Sequence, residues 1–148
     1  MMMEKMTTDF ACDCFANGID CSQVVFGYAA EKLGFDADTA RKIAAAFGGG
    51  MWHGETCGCV VGALMAIGLK YGPCEKGDAE TKQNMLAKKQ EFEEKFAAKS
   101  GGLICKKMLG YDLSEPEEMA KIMEENLLMT KCPQFACNAC DILDEILD

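Results

Sequence analysis

Histidine is almost missing from this chain: His53 stands alone among 148 residues, which excludes a multi-histidine metal centre. Basic residues are outnumbered, with 15 Lys and Arg against 24 Asp and Glu, and the resulting net charge of −9 argues against nucleic acid or an anionic membrane surface as a partner. No run of alternating β-branched residues reads as a strand. No apolar run is long enough to cross a bilayer, so no membrane insertion is expected. Gly48-Gly49-Gly50 lacks a following Gly-Lys-Ser/Thr, which excludes a phosphate loop. No Cys-x-x-Cys-His offers covalent haem attachment. Residues 1–10 carry no apolar signal core, so the expected compartment is cytoplasmic and its thiols reduced.

What is abundant is sulfur. Ten cysteines and eleven methionines sit in a chain that is 49% apolar, enough for one compact domain with a single core. In a reducing compartment, cysteines at this density point to metal binding or catalysis rather than to structural bridges.

The periodicity predicts an all-α single domain over 1–148, a bundle of six or seven helices around a buried, glycine-rich central one. Residues 1–19 read as a short helix or a loose arm; Cys12-x-Cys14 offers a ligand pair only if extended. Asp20 and Gln23 form a capping box for a helix to about Lys32, and Asp36 caps the next, to Phe47. The glycine loop then leads into the central helix, near Cys57 to Tyr71, which is apolar on nearly every side and stopped by Gly72-Pro73. A long amphipathic helix from Ala79 to Lys99 follows, then a short one over Leu103 to Leu109. Ser114 and Glu117 form a second capping box for a helix to about Met129, and Cys132-Pro133 opens the last.

On these helices the cysteines separate into two sets. Cys21, Cys57, Cys105 and Cys132 fall at helix starts, where unpaired N–H groups and the helix dipole favour a thiolate. Cys57 is the expected activated thiolate, pointing inward with Val61 and Leu64. His53 is a candidate hydrogen-bond partner for it. By the same count of ~100° per residue, Cys59 points away from Cys57. Cys137 lies on the polar face of its helix and Cys140 at the stripe's edge, so this pair reads as a surface accident. The spacing of Cys132, Cys137 and Cys140 matches plant-type [2Fe–2S] ferredoxins, but a helix there would splay Cys132 and Cys137 by about 140°.

The capped Cys21-Ser22-Gln23-Val24-Val25, the loop Phe47-Gly48-Gly49-Gly50-Met51, the core Gly54-x-x-Cys57-Gly58-x-x-x-Gly62-Ala63, and Cys105 and Cys132-Pro133 resemble one family. It is the group of small redox-active proteins named for a C…GCAxxG…C…C pattern, and the resemblance covers roughly residues 20 to 147. It implies that Cys21, Cys57, Cys105 and Cys132 are the characteristic cysteines, with Gly58 and Gly62 supporting them. It also implies redox activity and a link to a transporter system, without a named substrate or redox partner. The chain departs from the pattern at Cys59, where the family has alanine, and adds Cys12, Cys14, Cys74, Cys137 and Cys140.

Three readings compete. The first is thiol/disulfide chemistry, with Cys57 attacking and one of Cys21, Cys105 or Cys132 resolving. The second is an iron–sulfur cluster or zinc held by thiolates drawn from Cys21, Cys57, Cys59, Cys105, Cys132, Cys137 and Cys140. The third is a non-catalytic helical interaction domain, in which the Gly58-x-x-x-Gly62 spacing supports a homodimer.

Overall fold

A computed structural model describes residues 4–148. Its described residues form nine α-helices and no strand: α1 (Thr8–Ala16), α2 (Cys21–Lys32), α3 (Ala37–Ala44), α4 (Gly58–Tyr71), α5 (Ala79–Ser100), α6 (Cys105–Leu109), α7 (Pro116–Glu124), α8 (Leu127–Thr130) and α9 (Cys132–Ile146). The expected all-α bundle is present. Among the described residues no helix is long and apolar enough to cross a membrane.

The count exceeds six or seven because residues 8–16 are helical and the expected helix to Met129 breaks. Asn126 adopts a left-handed φ of 58°, which ends α7 and opens α8. The second capping box does not form either. Ser114 Oγ donates to Asp112 Oδ1 at 2.6 Å, and Glu115 takes the N-cap position without a side-chain cap. The first box is made: Asp20 N–H donates to Gln23 Oε1 at 2.8 Å.

Two helices share the centre. In α4, Gly58, Cys59, Val60, Gly62, Ala63, Ala66 and Ile67 are buried; in α2, every residue from Ser22 to Ala30 is. They pack against each other through glycine. A Cβ at Gly62 would lie 2.6 Å from the Ser22 carbonyl oxygen, and one at Gly58 would lie 2.3 Å from Cys21 Sγ. The spacing read as a dimer contact is therefore occupied within the chain, by α2. Ser22 is itself fully buried and donates from Oγ to the Ala44 carbonyl at 2.8 Å, which pins α3 to the pair.

Around this pair stand α5, whose Phe92 and Phe96 are fully buried, and α9, with Ala136, Ala139, Cys140 and Leu143 turned inward. Residues 8–16 form helix α1, seated on α9, with Ala11 fully buried. Cys12 Sγ donates to the Met129 carbonyl at 3.4 Å, and the helix turns Cys12 and Cys14 apart rather than presenting them as a pair. A second, smaller apolar cluster of Cys105, Leu109, Leu113, Ile122 and Leu127 lies beside the main core.

The glycines of α4 make opposite predictions. Gly62→Ala drives a methyl into the α2 backbone and should destabilise by about 1–3 kcal/mol. Gly68→Ala meets nothing within 4 Å and should stabilise by about 0.5–1 kcal/mol through helix propensity alone. Urea unfolding of the two variants checks the pair, and equal effects would contradict the packing described.

Candidate thiol cavity

Between α4 and the glycine loop the backbone does something rare. Gly49, Gly50, Met51 and Trp52 have φ values of 57°, 63°, 58° and 57°, a run of four left-handed residues. The turn closes with Glu55 N–H donating to the Gly50 carbonyl at 3.1 Å. Each non-glycine residue in such a conformation costs on the order of 1–2 kcal/mol, so the packing around Met51 and Trp52 has to hold them there. Glycine is required at 50, where a Cβ would come within 2.4 Å of the Glu55 nitrogen. Trp52 borders the cavity while remaining 45% exposed, and its indole N–H donates to the Asp20 carboxylate. Burial pushes the Asp20 carboxyl up from its ordinary value, and the indole partly opposes that.

After the turn the chain runs extended and pairs with a distant segment. Thr56 and Ile104 form an isolated antiparallel bridge. Cys57 N–H donates to the Leu103 carbonyl at 2.8 Å, and Cys105 N–H to the Glu55 carbonyl at 2.6 Å. Two of the predicted site cysteines are thus fixed to each other through backbone.

These elements enclose one cavity of about 150 Å³. Its wall is largely apolar, formed by Phe15, Trp52, Met108, Leu113, Leu128 and Phe135 among others. Cys21, Cys57, Cys105 and Cys132 all line it, and so does Cys59. The cavity lies at the seam between the main core and the smaller cluster.

The position of Cys59 corrects the sequence expectation. Counting ~100° per residue assumed that Cys57 lies inside the helix. It is instead the N-cap, with ψ of 134°, and α4 begins at Gly58. Cys59 is then free to share the cavity side: it is fully buried and hydrogen-bonds both Cys21 and Cys57. What would have found it is the departure from the family's alanine, the one added cysteine that falls inside the motif.

The electrostatics differ from the expectation of four helix-end anions. The thiol held below its ordinary value is Cys21, the first residue of α2. The hydrogen bond from Cys59 is the largest cause, aided by the Gly49 and Ser22 backbone N–H groups and opposed by burial and by Asp20. Cys59, the donor, is pushed well up by those same bonds and by burial. Cys105 and Cys132 also open helices, yet burial pushes the former up to about 12 and the latter higher still. Desolvation outweighs the helix dipole, an effect of only about 0.3–1 kcal/mol at exposed ends.

Other candidates lie elsewhere. His53 is exposed on the outer side of the turn and does not line the cavity, so the expected pairing with Cys57 is absent. Cys137 and Cys140 are not a surface pair. Both are buried in the main core, Cys137 donating to the Met6 carbonyl at 3.6 Å, because α1 covers the face that the sequence left open. Cys74 is exposed beyond α4.

A metal reading fits this arrangement poorly. Among the described residues no group of three or more His, Cys, Asp or Glu side chains is disposed to hold an ion. Cys21, Cys59 and Cys57 form a chain of hydrogen-bonded thiols, whereas Cys105 and Cys132 act on Cys21 and Cys57 only through charge.

One comparison with known proteins identifies the family of this chain. Residues 19–146 match the family described as "Putative redox-active protein (C_GCAxxG_C_C)". No curated protein and no solved structure matches the chain.

The thiol environments set an order of reactivity. Iodoacetamide labelling across rising pH, mapped by mass spectrometry, should mark Cys21 ahead of Cys105 and Cys132. Cys105, which in the fold keeps its proton up to about 12, makes the native state bind a proton that the unfolded chain has already lost. That contribution to stability is therefore complete below the ordinary thiol value of about 9 and fades as pH rises towards 12. Cys105→Ser should flatten the alkaline loss of stability in urea titrations between these limits.

Proposed function

We propose that this chain, which belongs to the C_GCAxxG_C_C family, carries out thiol–disulfide exchange in the cavity, with Cys21 as the attacking thiolate. The observation that carries the reading is a lowered thiol, half-buried and so reachable, on the wall of an apolar pocket that four further cysteines share. Low pKa with access is the combination that makes a cysteine nucleophilic. The apolar wall suits a small disulfide with an uncharged body, and the net charge of −9 disfavours anionic ones.

In the first step the Cys21 thiolate attacks one sulfur of a substrate R–S–S–R′. The Cys21–S–R bond forms, the S–S bond breaks, and R′S⁻ leaves and takes a proton from solvent. A second cavity cysteine then attacks Cys21 Sγ, releases RSH and leaves an intrachain disulfide. Two electrons pass from the protein dithiol to the substrate. An external dithiol restores the reduced protein. Asp20 and Trp52, joined by their hydrogen bond, line the cavity with Cys21.

Trp52 is the sole tryptophan, so its fluorescence reports on this cavity alone. Adding a small neutral disulfide to the reduced protein should change that emission together with thiol release, and dithiothreitol should reverse it. Cys21→Ser should slow the release from the cavity by at least about tenfold, since a hydroxyl is not ionised at these pH values. An unchanged rate and an unchanged fluorescence response in that variant would remove Cys21 from the reaction.

A further inference from the structure

Three cysteines besides Cys57 are available to resolve a mixed disulfide on Cys21, and the geometry separates them. Gly58 touches Cys21 Sγ so closely that a Cβ there would stand 2.3 Å from the sulfur. The sulfur therefore rests on the peptide unit that joins Cys57 to Cys59. Of the two, Cys59 is the one hydrogen-bonded to Cys21. Cys105 and Cys132 make no such bond to it. Exposure adds an order of events: Cys59 is at 0% exposure and closed to an incoming disulfide, whereas Cys21 is half-buried at the cavity wall.

We infer that Cys59, which stands where the family pattern has alanine, is the resolving thiol of this site and also the hydrogen-bond donor that prepares Cys21. This rests on the reading of Cys21 as the attacking thiolate. Once Cys21 carries S–R, the hydrogen bond from Cys59 has lost its anionic acceptor. The Cys59 sulfur then attacks Cys21 Sγ from inside the protein. The Cys21–Cys59 bond forms, the Cys21–S–R bond breaks, and the Cys59 proton passes to the departing RS⁻. The substrate disulfide is reduced to two thiols and the protein dithiol is oxidised, so electrons and protons balance. Burial serves this order, because a thiol that no free disulfide reaches cannot be blocked by a second substrate molecule. Cys57 is hydrogen-bonded to Cys59 as well.

The test uses the full chain, reduced, with one equivalent of 4,4′-dithiodipyridine as the disulfide, acid quenching and peptide mass mapping. The wild type should give a Cys21–Cys59 link and no pyridylthio group on Cys21. Cys59→Ser keeps a donor but cannot form a disulfide. It should hold the pyridylthio group on Cys21 while leaving the pH midpoint of Cys21 alkylation near its wild-type place. Cys59→Ala should hold the adduct and move that midpoint upward, a change that a merely structural cysteine would not produce in one variant and spare in the other. A wild-type link from Cys21 to Cys57, Cys105 or Cys132 would overturn the role of Cys59 and leave exchange at Cys21 standing. A wild type with Cys21 unmodified and unlinked would overturn both. Mapping of the wild type needs no variant to fold, so the inference is decided even if either substitution unfolds the chain.

Discussion

Everything in the cavity depends on how near α2 can come to α4. Helices carrying ordinary side chains pack with axes about 8–10 Å apart. Here two glycines one turn apart remove the side chains that would hold the axes at that range, and the backbone of Ser22 and the sulfur of Cys21 move into the space. The contact is an apolar, close-packed one with a buried serine satisfied by α3, so it gains from burial without leaving a polar atom unpaired. The thiol site is a by-product of that packing. A sulfur lodged against the start of a neighbouring helix meets donors from Cys59, Gly49 and Ser22 that it would not meet in solvent.

The other walls are placed by different physics. Cys57 and Cys105 are held by a single antiparallel rung, with hydrogen bonds on either side of Thr56 and Ile104. The left-handed turn from Gly49 to Trp52 stores unfavourable backbone energy and places an indole at the mouth, where it meets Asp20. Strain held by surrounding contacts is common where a side chain must be aimed. The thiols themselves diverge in character because burial and hydrogen bonding pull in opposite directions. At Cys21 the bonds win; at Cys105 and Cys132 burial does.

Much of this was legible in the residues. The capping box at Asp20 and Gln23, the glycine loop and the apolar run after it locate α2 and α4, and helix starts single out four of the five cavity cysteines. Cys59 was not legible, because the count of ~100° per residue holds only between residues inside the helix, and Cys57 lies just outside it. Cys57 adopts an extended ψ to pair with Leu103, a partner some 46 residues away that no local pattern reveals. The burial of Cys137 and Cys140 escaped for a similar reason, since their polar-looking face is covered by α1 from the opposite end of the chain. The break at Asn126 is a left-handed residue inside an otherwise helical pattern, and asparagine is the non-glycine residue that most readily adopts it.

The seam on which the cavity lies has a consequence for how occupancy relates to folding. On one side of it stands the small cluster of Leu109, Leu113, Ile122 and Leu127. The aromatic stack of Phe92 and Phe96 and the interior of α2 belong to the main core on the other. A molecule bound in the cavity stabilises the folded chain by mass action, while backbone amides of α6 to α8, held by the smaller cluster, would exchange with solvent before those of α2.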